Sequence, residues 1–124
     1  MIYDVIIVGS GISGLTAAIY TSRARLKTVV AAGSIWGAQL MFTTVIENFP
    51  GFKNGILGAE LMNNIREQAE RFGSEIIFQD VTRVDFSHQP FNVVPLVYPF
   101  LGLIQERHFA LLHDESYQLI RMLS

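Results

Sequence analysis

Six residues set the terms for this chain: Gly9-Ser10-Gly11-Ile12-Ser13-Gly14 directly follow the apolar run Val5-Ile6-Ile7-Val8. A G-x-G-x-x-G spacing that ends a strand and opens a helix has a physical reason at each glycine. Gly9 permits the tight turn, Gly11 removes the Cβ that would block a phosphate, and Gly14 lets helix and strand pack closely. The β-branched run suits a strand buried on both faces, and hence a parallel sheet covered by helices. Residues Ile12 to Ala24 favour a helix, with Ala17 and Ala18 small enough to approach a sheet and Arg23 where the helix dipole favours a cation. Lys27 to Ala31 then reads as a second strand, completing a β-α-β unit whose crossover is expected to be right-handed. The free N–H groups at the start of such a helix face an anion, so the reading is a pyrophosphate site.

Further along, Ala32 to Pro50 shows no sustained period and reads as a long ordered loop. Helical periodicity returns over Ala59 to Phe72, where Leu61, Ile65, Ala69 and Phe72 share a face and Gly73 suits the position just past the helix end. Glu75 to Phe78 reads as a third strand, and Thr82 to Phe86 alternates as a half-exposed one. After Phe91 the character changes. Val93 to Ile104 is apolar but broken by Pro95, Pro99 and Gly102, which favours extended or turn structure. Arg107 to Leu123 is predicted to form a helix.

Charge and composition narrow the function. Lys and Arg total 9 against 11 for Asp and Glu, a net charge of -2, so no basic field favours nucleic acid or an anionic membrane. The absence of cysteine excludes disulfides, thiolate nucleophiles and Cys-ligated metals within these residues. No apolar run approaches the roughly 20 residues of a membrane-crossing helix, and no basic segment precedes the first strand, so a cytoplasmic protein is expected. His88, His108 and His113 lack the spacing of a metal site, and none is expected.

The fingerprint also calls for an acid at the end of the second strand to receive ribose hydroxyls. That position is Ala32, and no Asp or Glu lies between Asp4 and Glu47. Losing such a charge-assisted bond weakens a dinucleotide by about 1.5–3 kcal/mol.

Several blocks together carry a resemblance: Tyr3 to Gly11, Gly14-Leu15-Thr16-Ala17-Ala18-Ile19-Tyr20, Gly37-Ala38-Gln39-Leu40, Ile46-Glu47-Asn48-Phe49-Pro50-Gly51-Phe52, Arg66 to Gly73 and Val81 to Ser87. In this order they are similar to the FAD-binding domain of bacterial-type low-molecular-weight thioredoxin reductases, a resemblance covering residues 3 to 93. It implies a Rossmann-like α/β domain, and FAD rather than NAD at the fingerprint. Ser10, Gly11, Ile12 and Ser13 would line the pyrophosphate beside Gly9 and Gly14, Gln39 and Asn48 would reach the flavin, and the backbone of Val81 would meet the adenine. The family moves electrons from NADPH through FAD to a protein disulfide and on to thioredoxin.

Departures are Ala32 for the ribose acid, Ala38 for a glycine, and Ile12-Ser13 at the helix entry. A Cβ at residue 38 would cost about 1 kcal/mol if its φ were positive. Asn92 to Ser124 carry no Ala-Thr-Gly strand end and no Cys-x-x-Cys. The expectation is therefore a partial FAD-binding domain over residues 1–93 and a divergent tail over 94–124, truncated relative to the family. Such a chain would pair as a homodimer or with a complementing chain. The competing expectation is a non-catalytic nucleotide-binding or interaction fragment.

Overall fold

A computed structural model describes residues 2–95 and 102–111, the latter as backbone. Its first strand, β1 (Ile2–Val8), is followed by α1 (Ile12–Arg23), β2 (Thr28–Ala31), a 3-10 turn (Ala38–Phe42), β3 (Val45–Ile46), β4 (Ile56–Leu57), α2 (Gly58–Arg71), β5 (Glu75–Ile77), β6 (Val81–Asp85), β7 (Phe91–Pro95) and β8 (Gly102–Leu111). Six strands form one sheet in the order β5-β2-β1-β8-β7-β6, and β3 and β4 form a separate pair. The β5, β2, β1 and β8 strands run parallel, as the β-branched run required, while β7 and β6 continue antiparallel.

Register follows from side-chain alternation. Val5 pairs with Thr28 and Val8 with Ala31, so β1 and β2 end together at the sheet's carboxyl edge. Val5 and Ile7 join Leu15, Ala18, Val30, Leu61, Met62, Ile65 and Ala69 in one core, which therefore takes both helices. Ile6 and Val29 point the other way and pack with Tyr3, Phe91 and Val93. Tyr3 and Val5 occupy opposite faces because the N–H groups of Asp4 and Val5 both donate to the Lys27 carbonyl, at 2.9 and 3.2 Å. This bulge shifts the alternation by one residue. Both faces of β1 are thus buried, but among the described residues helices cover only one of them.

The sequence expectations need two corrections. The span from Ala32 to Pro50 is not wholly loop: its 3-10 turn and β3 are too short to show a period. The predicted helix over Arg107 to Leu123 is overturned for residues 107–111, which belong to β8, where His108 pairs with Val5 and Leu111 with Val8. A sheet position next to β1 outweighs a spacing that was only loosely helical. Residues 112–123 of that prediction lie outside the described residues.

Candidate functional site

Gly9 stands where β1 leaves the sheet, with φ at 112° and its N–H donating to the Ala31 carbonyl at 2.9 Å. The glycine turn is thereby tied to the end of β2. A Cβ at Gly14 would lie 2.3 Å from the Gly9 carbonyl oxygen, a distance only glycine tolerates. Gly11 is the N-cap of α1 in an extended conformation and accepts the Leu15 N–H at 3.0 Å. Among the described residues no side chain caps α1, and its first turn holds no acid. Its leading N–H groups and the positive end of its dipole are therefore left for an anion at the sheet's edge. Ile12 packs partly against the core beneath, and Ser13 is exposed.

Ser10 is buried, and its hydroxyl has other work. The Oγ donates to the Ala32 carbonyl and accepts the Gly37 N–H, both at 2.9 Å. One side chain thus binds the glycine turn to both ends of the segment following β2. Toward a phosphate, Ser10 can offer only its backbone N–H.

That segment runs along the same edge. Ala32 donates its N–H to the Ile77 carbonyl at 2.8 Å, extending the β2–β5 pairing by one residue. Gly37 takes the left-handed conformation with φ at 78°, and Ala38 opens the 3-10 turn that follows. The position demanding glycine is therefore one this chain keeps, and the substitution at residue 38 meets helical backbone instead. Trp36 is half-buried. Its ring meets Phe78 edge-on at 6.4 Å between centroids, and the Arg66 guanidinium lies 4.8 Å from its centroid.

Gln39 and Asn48 expose their side chains, and neither side chain hydrogen-bonds among the described residues. Gln39 lies in the 3-10 turn, which closes on the start of α2 so tightly that a Cβ at Gly58 would sit 2.0 Å from the Leu40 carbonyl oxygen. Asn48 lies in an open hollow lined by residues from Glu47 to Lys53, at the mouth of the β3–β4 pair. Val81 begins β6, half-buried with Val8 and Ile77 around the second core.

The fold therefore gathers the Gly9–Gly14 turn, the Ala32–Gly37 segment and the exit of β5 at one carboxyl edge. A parallel sheet places ligands at such an edge. Two residues there escaped the sequence reading. Asp80 accepts the Ser34 N–H at 2.9 Å, and Arg66 carries a buried Nε with no hydrogen-bond partner among the described residues. No sequence signal marked Asp80, because only the pairing of β2 with β5 brings it to this edge.

Comparison with known proteins agrees with this geometry. The model of the pyridine nucleotide-disulphide oxidoreductase family matches residues 3–98. Thioredoxin reductase of Chlamydia pneumoniae is 58% identical over 89 residues, which are 69% of this chain and 29% of that protein. The Streptomyces coelicolor thioredoxin reductase is 59% identical over 85 residues, 68% of this chain and 26% of that one. Among solved structures, thioredoxin reductase from Giardia duodenalis superposes with a TM-score of 0.78 at 40% identity, covering 89% of this chain and 34% of its own. The Streptococcus pyogenes thioredoxin reductase gives a TM-score of 0.82 at 28% identity, covering 96% of this chain and 37% of that one. The chain thus spans under a third of the length of these two curated relatives. By the family match over residues 3–98 and the glycine turn that anchors it, the chain belongs to the pyridine nucleotide-disulphide oxidoreductase family, whose FAD-binding α/β domain it shares in part.

Proposed function

We propose that this chain binds FAD along the edge formed by the Gly9–Gly14 turn, the Ala32–Gly37 segment and the exit of β5. It would do so as the flavin-binding portion of a thioredoxin-reductase-type system. The observation carrying this reading is the uncapped, acid-free start of α1 held behind a glycine turn with no room for a side chain at Gly14. Backbone N–H groups of residues 10–13 would receive the pyrophosphate. The exposed amides of Gln39 and Asn48 would offer donors and acceptors to the flavin ring, and the Val81 backbone would meet the adenine. Residues 1–93 carry this role, with residues 94–124 as a divergent segment.

FAD, when bound, supplies the hydride and electron chemistry. These 124 residues contain no cysteine, so any dithiol that exchanges electrons with the flavin lies outside them. NADPH and thioredoxin enter the proposal only through parts outside these residues, such as a complementing chain. A cytoplasmic setting belongs to the same reading and is open to cell fractionation.

The test is direct. The full chain, freed of loose flavin, is expected to retain FAD by absorbance and to show no NADPH-dependent disulfide reduction alone. Failure to bind FAD at any accessible concentration would overturn the reading. Turnover by these residues unaided would overturn the part that places the dithiol outside them.

A further inference from the structure

The sheet edge holds a carboxylate that the fingerprint does not ask for, close to where the expected one is missing. Ala32 puts a methyl group at the end of β2, and the chain has no Asp or Glu between Asp4 and Glu47. Asp80 approaches the next two residues from the neighbouring strand's exit. Its Oδ1 accepts the Ser34 N–H at 2.9 Å and lies 3.0 Å from the point a Cβ on Gly33 would occupy. Gly33, with φ at 78°, leaves room for that oxygen. The carboxylate is half-exposed, and its Oδ2 has no hydrogen-bond donor among the described residues.

Topology explains the meeting. Strands β2 and β5 are parallel, with Ala31 opposite Ile77, so both leave the sheet at the same edge as Gly9. An ionised carboxylate offers about four lone-pair directions, and the Ser34 cap uses one. A vicinal diol presents two O–H donors, which suit the oxygen left over.

We propose that Asp80, reaching from the exit of β5, supplies the carboxylate that receives the ribose hydroxyls of the adenosine half of FAD, in place of an acid at residue 32. This inference rests on the FAD reading. It makes Asp80 a binding residue specific for ribose, and it offsets the loss expected from Ala32.

Asp80→Asn tests it, because the amide oxygen can still cap Ser34 while the charge is gone. Flavin-fluorescence titrations of the full chain would use FAD and an FAD analogue with a 2′,3′-dideoxyadenosine half. The substitution is expected to weaken FAD about 10- to 100-fold, the scale of one charge-assisted bond, and to change the analogue's affinity by less than about twofold. Adding Ala32→Glu to Asp80→Asn should recover most of the lost affinity for FAD. Equal weakening of both ligands would make Asp80 only a turn cap and overturn the assignment. Unchanged FAD affinity in Asp80→Asn would overturn it while leaving the FAD reading intact. Absence of FAD binding by the unaltered chain would remove both.

Discussion

Ser10 looks, in the sequence, like a phosphate-lining residue, yet its hydroxyl spans the 22 positions to Ala32 and the 27 to Gly37. Both of its partners are main-chain groups of buried residues, and neither has another hydrogen-bond partner among the described residues. Ser10→Ala is therefore expected to destabilise the chain by about 1–3 kcal/mol, the cost of leaving buried groups unpaired, and to loosen the edge on which FAD would rest. Urea unfolding and FAD titration of the same variant check both halves; a midpoint unchanged from the parent would count against the staple. Gly14→Ala tests the turn itself. Its new methyl would press on the Gly9 carbonyl from 2.3 Å, so backbone must move, with a cost of about 1–3 kcal/mol by the measure of other overpacked sites. The glycines were legible because one missing Cβ leaves a spacing pattern. Ser10's two bonds were not, because both partners lie far off in the chain. Asp80 was illegible for the same reason: only the β2–β5 pairing brings it to Gly33.

Elements were legible where their period is long enough to count. The α2 stripe of Leu61, Ile65 and Ala69 faces the core as its spacing predicted, with Met62 added and Phe72 drawn aside under Arg23 and Arg71. The 3-10 turn and the two-residue strands β3 and β4 carry no period, so only contacts define them. The bulge in β1 was equally hidden, although it decides where Tyr3 points. Its phenol is buried in the second core and donates to Glu75 Oε2 at 2.8 Å, joining β1 to β5 across β2. Burial first, then the hydrogen bond and negative charge of Glu75, push the phenol well above its ordinary value of 10.0. The folded state therefore favours the neutral phenol. This contribution is complete below pH 10.0 and is lost as pH rises from there toward the folded value. Chemical denaturation at rising pH is expected to show an alkaline decline that is shallower in Tyr3→Phe. Equal slopes in the two proteins would mean that another group governs it.

At the scale of the molecule, everything proposed depends on β1 being a central strand. Its apolar residues Ile6 and Ile7 are fully buried, and β2 pairs with only one of its edges. An apolar strand left open on the other side would be a template for association. The Gly102–Leu111 strand closes that side: Phe109 pairs with Ile6 and Ala110 with Ile7. The segment that least resembles the family in sequence thus occupies the sheet position next to the glycine turn. The sequence could not disclose this, because prolines and loose spacing obscure any period there, whereas the demand for a partner comes from β1, about 100 residues away by the pairing itself. Proline substitution isolates the claim without shortening the chain. In a parallel ladder, successive residues turn their N–H groups to opposite neighbours, so either Phe109→Pro or Ala110→Pro must remove a donor facing β1. One of the two should lower stability by about 1–3 kcal/mol and speed amide exchange in β1, measurable residue by residue at Ile6, Ile7 and Val8. If both variants unfold and exchange like the parent, β1 has no partner there and the sheet edge must be closed by something else, such as a second polypeptide.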